Sequence, residues 1–446
     1  MFLRCRPWHL TIALSLLLSS VAVAQEIDED EPVTPPTLEQ PADEPPEPKP
    51  VQVAPKHEDT GEDDRPIGVF AVAPALAAQT PGLTVRGNQG ASVGRWQLTL
   101  GGYLRTAYSW IQDDPALELI GRNDGFVMLD ARLSLEGRMD NGLGFVFELD
   151  GAAPLGQASA DSPARPLAVR ITDAFTIYRP YRFLEFNLGQ FKAPFDLEEL
   201  LPNSDLLFVH RSVGNRGVLP VEGRAIDGIS VSRELGLQLR GNYFLFAEGD
   251  DLEGPGLSYA LALTNGQDAN RSINQNDRLA YYARAGLHWG TNVSLGAAYF
   301  HNDDTFGEAP NRIDRSLRGW SADVLVSAFG ASLLANVIQR TESTPDLPQE
   351  ADITSMAYQV QIAYEEPFFG FQPAYRLAYL DPTSNYTAPD QLDLFESDAL
   401  TYHTLGLNYN APNYPVRLMA NYTFTMEQDQ RQLDNDRFDI LLQLVW

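Results

Sequence analysis

The feature that most constrains the fold is a repeat of short segments in which apolar and polar side chains alternate. After position 95 this alternation returns again and again; in one segment Leu129, Ala131, Leu133 and Leu135 are separated by polar residues. A period of two indicates a strand with one apolar and one polar face. No run after the first 24 residues has the roughly eighteen apolar residues that a transmembrane helix requires. The sequence therefore predicts an all-β chain.

Two further patterns favour a transmembrane antiparallel β-barrel over a soluble β-sandwich. Connections alternate between tight turns, as at Asp140–Gly142, and long polar loops, as at 302–314. Short periplasmic turns and long external loops are typical of outer-membrane barrels. Aromatic residues at segment ends match the two membrane interfaces, namely Trp96, Trp110, Trp289, Tyr364, Tyr379 and Trp446. The predicted location is the bacterial outer membrane, with the lipid bilayer as partner.

Counting back from Trp446 gives about sixteen strands in residues 95–446, an even number as single-chain bacterial barrels require. Residues 237–246 also alternate, and to keep the count even we interpret them as part of a periplasmic connection after a strand at 224–235. Asp173 has the parity of the apolar Ile171 and Phe175, which requires a bulge or a position near the rim.

The N-terminus carries the pattern of a secretory signal in residues 1–24. Arg4 and Arg6 precede an apolar core, and Ala22 and Ala24 form a small-x-small cleavage site. Cleavage removes Cys5, the single cysteine, so disulfide and thiol chemistry are not expected.

Residues 25–94 are predicted to form a disordered periplasmic extension, acidic and proline-rich to about Arg65. It is either a passive linker or a tether. The formal charge of −28 argues against nucleic acid as a partner, although much of it lies in this extension and in the loops. The six histidines are scattered, so neither a metal site nor a cofactor is predicted.

Residues 191–223 form a long, partly apolar connection between predicted strands. A short helix is predicted from Asp196 to Leu201, ended by Pro202. Such a connection is either a surface loop or a loop folded into the lumen of a wide barrel, where it narrows the pore. In the sixteen-strand scheme it is the third external loop, and we predict that it folds inward.

This loop and its flanking strands resemble the phosphate-selective porin O and P family. The matching positions are Asp173-Ala174, Gly189-Gln190-Phe191-Lys192-x-Pro194-Phe195, His210-Arg211-Ser212, Asp227-Gly228-Ile229 and Thr264-Asn265-Gly266. The resemblance extends over about 95–446 and implies a sixteen-stranded porin, usually a homotrimer, that passes small solutes and in some members selects phosphate. The C-terminal strand ending at Trp446 is expected to be recognised by the barrel-assembly machinery.

The predicted anion contacts are cationic side chains at the constriction and along the lumen. Lys192 and Arg211 occupy the lysine and arginine positions of the motif, although the lysine cluster of phosphate-selective members is missing. Strand parity directs six arginines inward, namely Arg105, Arg132, Arg170, Arg284, Arg376 and Arg417. Acids share that parity, namely Asp130, Glu136, Glu148, Asp150, Glu185, Asp323 and Asp439. The two rows form either an anion path or pairs across the lumen.

Both motif cations have a structural alternative. Lys192 either contacts anions at the narrowest point or pairs with Asp196 or Glu198. Arg211 either contacts anions or anchors the loop to the barrel wall by pairing with an inward acid.

The predicted function is an outer-membrane porin for passive diffusion of small solutes and ions, including phosphate or other anions. One alternative is a barrel that tethers the outer membrane to the periplasm through residues 25–65. The other is a hydrolase using His210, Ser212 and Asp205. An enzyme is not expected, because the sequence contains no G-x-S-x-G elbow and sequence proximity does not supply catalytic geometry.

Overall fold

The computed structural model describes most of the chain from Ala91 onward. The described ranges are 91–93, 95–115, 120–121, 124–139, 141–154, 166–181, 183–248, 251–267, 269–271, 273–306, 312–344, 352–364, 369–385, 399–412, 414–427 and 433–446. The predicted signal peptide and the extension up to residue 90 lie outside them. The extension was predicted to reach residue 94, but Ala91–Val93 form a short strand.

Sixteen antiparallel strands form one closed barrel, as predicted. Each pairs with its neighbours in the chain, and the last strand pairs with the first. The strands are β1 Trp96–Ile111, β2 Gly125–Arg138, β3 Leu143–Pro154, β4 Leu167–Tyr181, β5 Leu184–Lys192, β6 Arg233–Glu248, β7 Asp251–Thr264, β8 Ala280–Trp289, β9 Val293–Phe306, β10 Ile313–Ala328, β11 Ala331–Ser343, β12 Ile353–Tyr364, β13 Phe371–Asp381, β14 Leu400–Asn410, β15 Val416–Glu427 and β16 Arg437–Val445.

The seam between β16 and β1 closes the barrel. At its periplasmic end Gly102 and Trp446 exchange two backbone hydrogen bonds of 3.0 Å. A Cβ atom at Gly102 would lie 2.8 Å from the indole of Trp446, so glycine lets this ring lie against the strand. Beyond the seam, Ala91–Val93 pair with the start of β1.

The two faces of the strands differ in polarity, as the alternation predicts. Apolar side chains are exposed on the outer face, for example Leu261, Tyr299, Val360 and Leu405. Four aromatic residues predicted at the interfaces are also exposed, namely Trp110, Trp289, Tyr364 and Trp446. An apolar outer band with aromatic ends is the surface that a bilayer covers. No helix within the described ranges is long and apolar enough to cross a membrane.

The irregularity expected at Asp173 is a bulge. Glu148 of β3 faces Asp173, whereas the next residue, Leu149, faces Ile171, so Thr172 is the extra residue on β4. The bulge exchanges the two faces of β4. Ile171 is consequently exposed on the outside, while Phe175 is buried.

The prediction for residues 224–246 was wrong. Residues 237–246 belong to β6, which pairs with both β5 and β7, and most of 224–235 is not a barrel strand. Ile226–Asp227 instead pair with Gly217–Val218 in a small sheet within the loop. The apolar side chains that suggested a strand, such as Ile229, are buried among apolar residues of the loop and the inner wall rather than exposed to lipid. The count of sixteen survives because one strand replaces the other.

The connection between β5 and β6 folds into the barrel and spans residues 193–232, so it begins and ends later than the predicted 191–223. Helix α1, Leu197–Leu200, has Asp196 as its N-cap and ends before Pro202, as predicted. Helix α2, Val213–Arg216, and two short 3₁₀ helices, Asn203–Asp205 and Pro220–Glu222, follow. Phe195, Phe208 and Val209 of the loop are almost completely buried in contact with wall residues.

Val360 tests the assignment of the outer face, because it lies near the middle of β12 and is exposed there. Val360→Arg is expected to lower the free energy of unfolding in a bilayer by about 2–4 kcal/mol, since a charge at the midplane loses its hydration. Tyr414→Arg, at the periplasmic turn, is the control and is expected to cost at most about 1 kcal/mol. Equal losses in vesicle-based urea unfolding would contradict the assignment.

Candidate pore constriction

Arginines of the barrel wall hold the inward loop by its backbone. Each donates from its guanidinium to a loop carbonyl, and the four come from strands all round the barrel. The bonds are Arg105 to Val209 at 2.8 Å, Arg284 to Phe195 at 3.1 Å, Arg376 to His210 at 2.9 Å and Arg417 to Leu206 at 3.0 Å. Four arginines predicted to contact anions therefore serve as loop anchors.

Neutral wall side chains supply a second set of anchors. Their bonds are Gln443 Nε2 to the Ser204 carbonyl at 2.9 Å, Asn408 Nδ2 to the Leu207 carbonyl at 3.0 Å, Ser321 Oγ to the Phe195 carbonyl at 2.8 Å and the Val209 amide to Asn421 Oδ1 at 2.7 Å. Both charged and neutral side chains of the wall thus hold the backbone of the loop in place.

Inward acids pair with several of these arginines. Arg105 contacts Asp130 at 2.9 Å, and Arg284 contacts Asp323 at 2.8 Å. Arg132 lies among three carboxylates, with Glu148 nearest at 2.7 Å. These pairs cancel much of the charge that each row would present alone.

The two motif cations bind the loop itself. Lys192 Nζ donates to the carbonyls of Leu201 at 2.8 Å and Leu200 at 3.5 Å, at the end of α1. The carboxylates of Asp196 and Glu198, one of which was expected to pair with Lys192 in the structural alternative, are not the acceptors of these two hydrogen bonds. Both acceptors are main-chain carbonyl oxygens, and the ammonium of Lys192 supplies the hydrogen bonds that these carbonyls lack at the end of the helix.

Arg211 also acts within the loop. Its guanidinium bonds to the carbonyls of Glu198 and Leu201 and pairs with Glu199 at 3.4 Å. The expected anchoring to an acid of the barrel wall is therefore wrong: its acid is on α1, because the loop doubles back on itself. Burial alone would raise the pKa of Glu199, but Arg211 and Lys192 outweigh it and lower that pKa to about 2.

Arg170 differs from the other predicted arginines. It lies near the outer end of β4, it is exposed, and within the described ranges no hydrogen bond or ion pair engages it. Of the six arginines chosen by parity, Arg170 is therefore the one best placed to meet a solute.

A polar cluster joins the loop to the seam. His210 Nε2 accepts a hydrogen bond of 2.5 Å from Arg437 and lies 3.4 Å from Asp439. Arg437 also reaches Glu222 at 3.1 Å. Burial and the Arg437 guanidinium lower the pKa of His210 to about 4. The imidazole is consequently neutral at pH 7 and can accept from Arg437.

Glu222 completes this cluster. Arg216 donates two hydrogen bonds of 2.7 Å to its carboxylate. Burial would raise the pKa of Glu222, but the Arg216 guanidinium outweighs this effect and lowers it to about 2. Sequence reasoning missed this cluster, although Arg437 has the same inward parity as Asp439.

The residues proposed for a hydrolase do not form a triad. Ser212 Oγ donates to Glu198 at 2.5 Å, whereas His210 contacts Arg437 and Asp439 of the wall. Asp205 accepts from Ser204 at 3.1 Å. Among the side chains that the structure describes, no group of three or more His, Cys, Asp or Glu is placed to hold a metal ion.

Comparison with solved structures finds the same fold in outer-membrane channels. The anion-selective porin from Comamonas acidovorans matches with a TM-score of 0.53 and 14% identity, over 79% of this chain and 100% of that one. The outer-membrane channel DcaP of Acinetobacter baumannii matches with a TM-score of 0.53 and 14% identity, over 80% and 99%. OmpF of Salmonella typhi, solved in complex with daunomycin, gives 0.53 and 13%, over 80% and 100%.

At these identities the likeness shows the fold alone: the chain has the sixteen-stranded barrel of porins. No protein-family model matches the sequence. No curated protein sequence matches it either. Membership of the phosphate-selective porin O and P family therefore stays a prediction.

Arg417 tests the anchoring of the loop, because its side chain is fully buried and bonds to the Leu206 carbonyl. Arg417→Gln is expected to lower the free energy of unfolding by about 1.5–3 kcal/mol, since a charged hydrogen bond is lost. In the control, Arg318→Gln, an exposed pair with Asp352 is lost, at a cost below about 1 kcal/mol. Urea unfolding in detergent measures both, and equal losses would refute the anchoring role.

His210 predicts a pH dependence of stability. Its pKa is about 4 in the folded protein against an ordinary 6.5, so the unfolded chain binds the proton first. The contribution of His210 to stability is complete above pH 6.5 and falls as the pH drops to about 4, by at most about 3 kcal/mol. His210→Gln should reduce this slope in pH-dependent unfolding, whereas His301→Gln, at the outer end of β9, should retain it. An unchanged slope in His210→Gln would exclude His210 as its source.

Proposed function

We propose that this protein is an outer-membrane porin that lets small hydrophilic solutes diffuse through its lumen. The observation that carries the proposal is the closed sixteen-stranded barrel with an apolar outer face, a polar inner face and one external loop fixed inside. A loop held across a lumen limits the size of what passes, and the side chains along the remaining space set its selectivity.

The charges in the lumen favour weak ion selectivity over a phosphate site. Four of the predicted anion contacts already donate hydrogen bonds to loop carbonyls, namely Arg105, Arg284, Arg376 and Lys192. A phosphate would have to replace these bonds, leaving buried carbonyls unpaired. We infer that the motif cations shape the loop, and that Arg170 supplies what anion attraction remains.

The alternatives receive less support. Ser212 bonds to Glu198 and His210 to Arg437, so these side chains do not form the arrangement that a hydrolase requires, and the proposed function is not enzymatic. A tether would act through residues 25–65, outside the described ranges, and would leave conduction by the barrel unchanged. Assembly as a homotrimer and recognition of the C-terminal strand by the barrel-assembly machinery remain parts of the proposal.

The reversal potential in a planar bilayer across a KCl gradient, with and without millimolar phosphate, tests the proposal. We expect conduction with a reversal potential close to zero and no phosphate block, because the buried cations are paired. Arg170→Glu should shift the potential toward cation preference, since it reverses an exposed charge. Its control, Arg284→Gln, removes a buried cation and should shift it less.

Failure to conduct would refute the porin proposal. Block by phosphate that Lys192→Glu relieves would instead assign the chain to the phosphate-selective porins.

A further inference from the structure

A row of polar side chains crosses the inner face of three neighbouring strands beneath the inward loop. Asp323 of β10 lies opposite Asn336 of β11, and Asn336 lies opposite Gln359 of β12. Side chains at directly opposed positions of an antiparallel pair have Cβ atoms about 5 Å apart. All three residues are more than nine-tenths buried, with exposures of 7%, 7% and 1%. The three side chains therefore form one compact polar group that is shielded from solvent.

The start of α1 covers this row. Asn336 Nδ2 donates to Asp196 Oδ1 at 2.8 Å, and Asp196 is itself completely buried. The guanidinium of Arg284 joins Asp323 to the carbonyl of Phe195, the residue before Asp196. The loop and the wall thus meet directly at these three strands.

Asp196 is a buried carboxylate without a cationic partner among the described residues. Its two oxygens accept four hydrogen bonds, and every donor is neutral. The donors are the Glu198 amide at 3.2 Å, Asn336 Nδ2 at 2.8 Å, Asn215 Nδ2 at 2.7 Å and Ser230 Oγ at 2.9 Å. Neutral donors stabilise a carboxylate but leave its charge uncompensated.

The charged groups that surround Asp196 leave one negative charge unbalanced. Glu198 is paired with Arg376 at 3.5 Å, and Asp323 is paired with Arg284 at 2.8 Å. Asp196 is a third carboxylate beside these two guanidinium groups, which are already engaged. Burying an unbalanced charge is costly, so such a site favours either a proton or a bound cation.

The amides of the row are the second observation, because two of their oxygens are free. Within the described ranges, Asn336 Oδ1 and Gln359 Oε1 have no hydrogen-bond partner. The Asp196 carboxylate can only accept, so it fixes the nitrogen of the Asn336 amide toward the loop and leaves the oxygen available. Gln359 Nε2 is free as well, and rotation of this amide can turn its oxygen toward Asn336. Buried amide oxygens beside an unbalanced carboxylate are suitable ligands for a hard cation.

We propose that this row binds a monovalent cation, K⁺ or Na⁺, through Asn336 Oδ1, Gln359 Oε1 and Asp323 Oδ2. Carbonyl oxygens of this kind replace the hydration shell of an alkali ion. One positive charge balances the surplus beside Asp196, whereas a divalent ion would reverse its sign. The bound cation holds the start of α1 against β10, β11 and β12, so it becomes part of the structure that fixes the loop.

Anomalous diffraction with thallium(I), a heavy monovalent cation, tests the site in the full chain. Crystals grown without alkali cations are soaked in thallium(I) acetate, with and without an excess of potassium acetate. We expect an anomalous peak between Asn336 and Gln359 that potassium displaces. Absence of a peak on this row, whether or not thallium binds elsewhere, would overturn the proposal.

Urea unfolding in vesicles measures whether the cation stabilises the fold. At ten times its dissociation constant, a ligand that binds only the folded state raises the folding equilibrium constant about elevenfold. Stability should therefore rise and level off with increasing KCl or NaCl, relative to choline chloride at equal ionic strength. Equal stability in alkali and choline salts would refute binding. Stabilisation by CaCl₂ in place of the alkali salts would refute a monovalent ion.

Gln359→Leu removes one ligand and should abolish the difference in stability between KCl and choline chloride. In the matched control, Gln443→Leu, a fully buried glutamine of β16 that donates to the Ser204 carbonyl is lost. The control should lower stability equally in both salts and keep the difference between them. Retention of the difference in Gln359→Leu, or its loss in both variants, would contradict the assignment.

The thallium peak in the unchanged chain decides the question if Gln359→Leu fails to fold, which heat-modifiable gel mobility reports. Binding of the cation does not require conduction, so both experiments are independent of the porin proposal.

Discussion

The structure depends on hydrogen bonds from the barrel wall to the backbone of the inward loop. Residues 193–232 run through the lumen with little regular structure, so most of their carbonyls have no strand or helix partner. Buried carbonyls without partners cost free energy, and arginines and amides of the wall supply the missing donors. Arg376 shows the design: it donates to the His210 carbonyl, lies over Phe208 and faces Glu198. The charged side chains that line the lumen thus contribute first to holding the loop in place, and only the charges that remain accessible can act on a permeating solute.

Alternation predicted the barrel because period two persists over strands of nine to sixteen residues. It also identified Asp173 as a charged residue on an apolar face, which required either a bulge or a position near the rim, and the structure has the bulge. It failed at residues 224–246, where two alternating stretches competed. Ile226–Asp227 form a small sheet inside the loop, and short alternation cannot distinguish such a sheet from a membrane strand. The longer stretch in β6 was the strand.

For each arginine, strand parity predicted the face of the sheet on which the side chain lies, but not the groups that it binds. Arg284 was correctly expected inside, yet its partners, Asp323 and the Phe195 carbonyl, depend on the path of a loop distant in sequence. Lys192 likewise bonds to carbonyls that no side-chain pattern reveals. The residues that resemble the family motif therefore hold the geometry of the loop, and this role does not by itself indicate which solute the channel passes.

The seam between the first and last strands has a consequence for biogenesis. Because β1 pairs with β16, no contact of the seam can form until β16 has been made. Until then the edge of β1 presents unpaired backbone groups, which can pair with other chains. Contacts between such distant residues also form slowly. The Gly102–Trp446 bonds consequently form late, and a variant without Trp446 would leave this part of the seam unpaired and open to other chains.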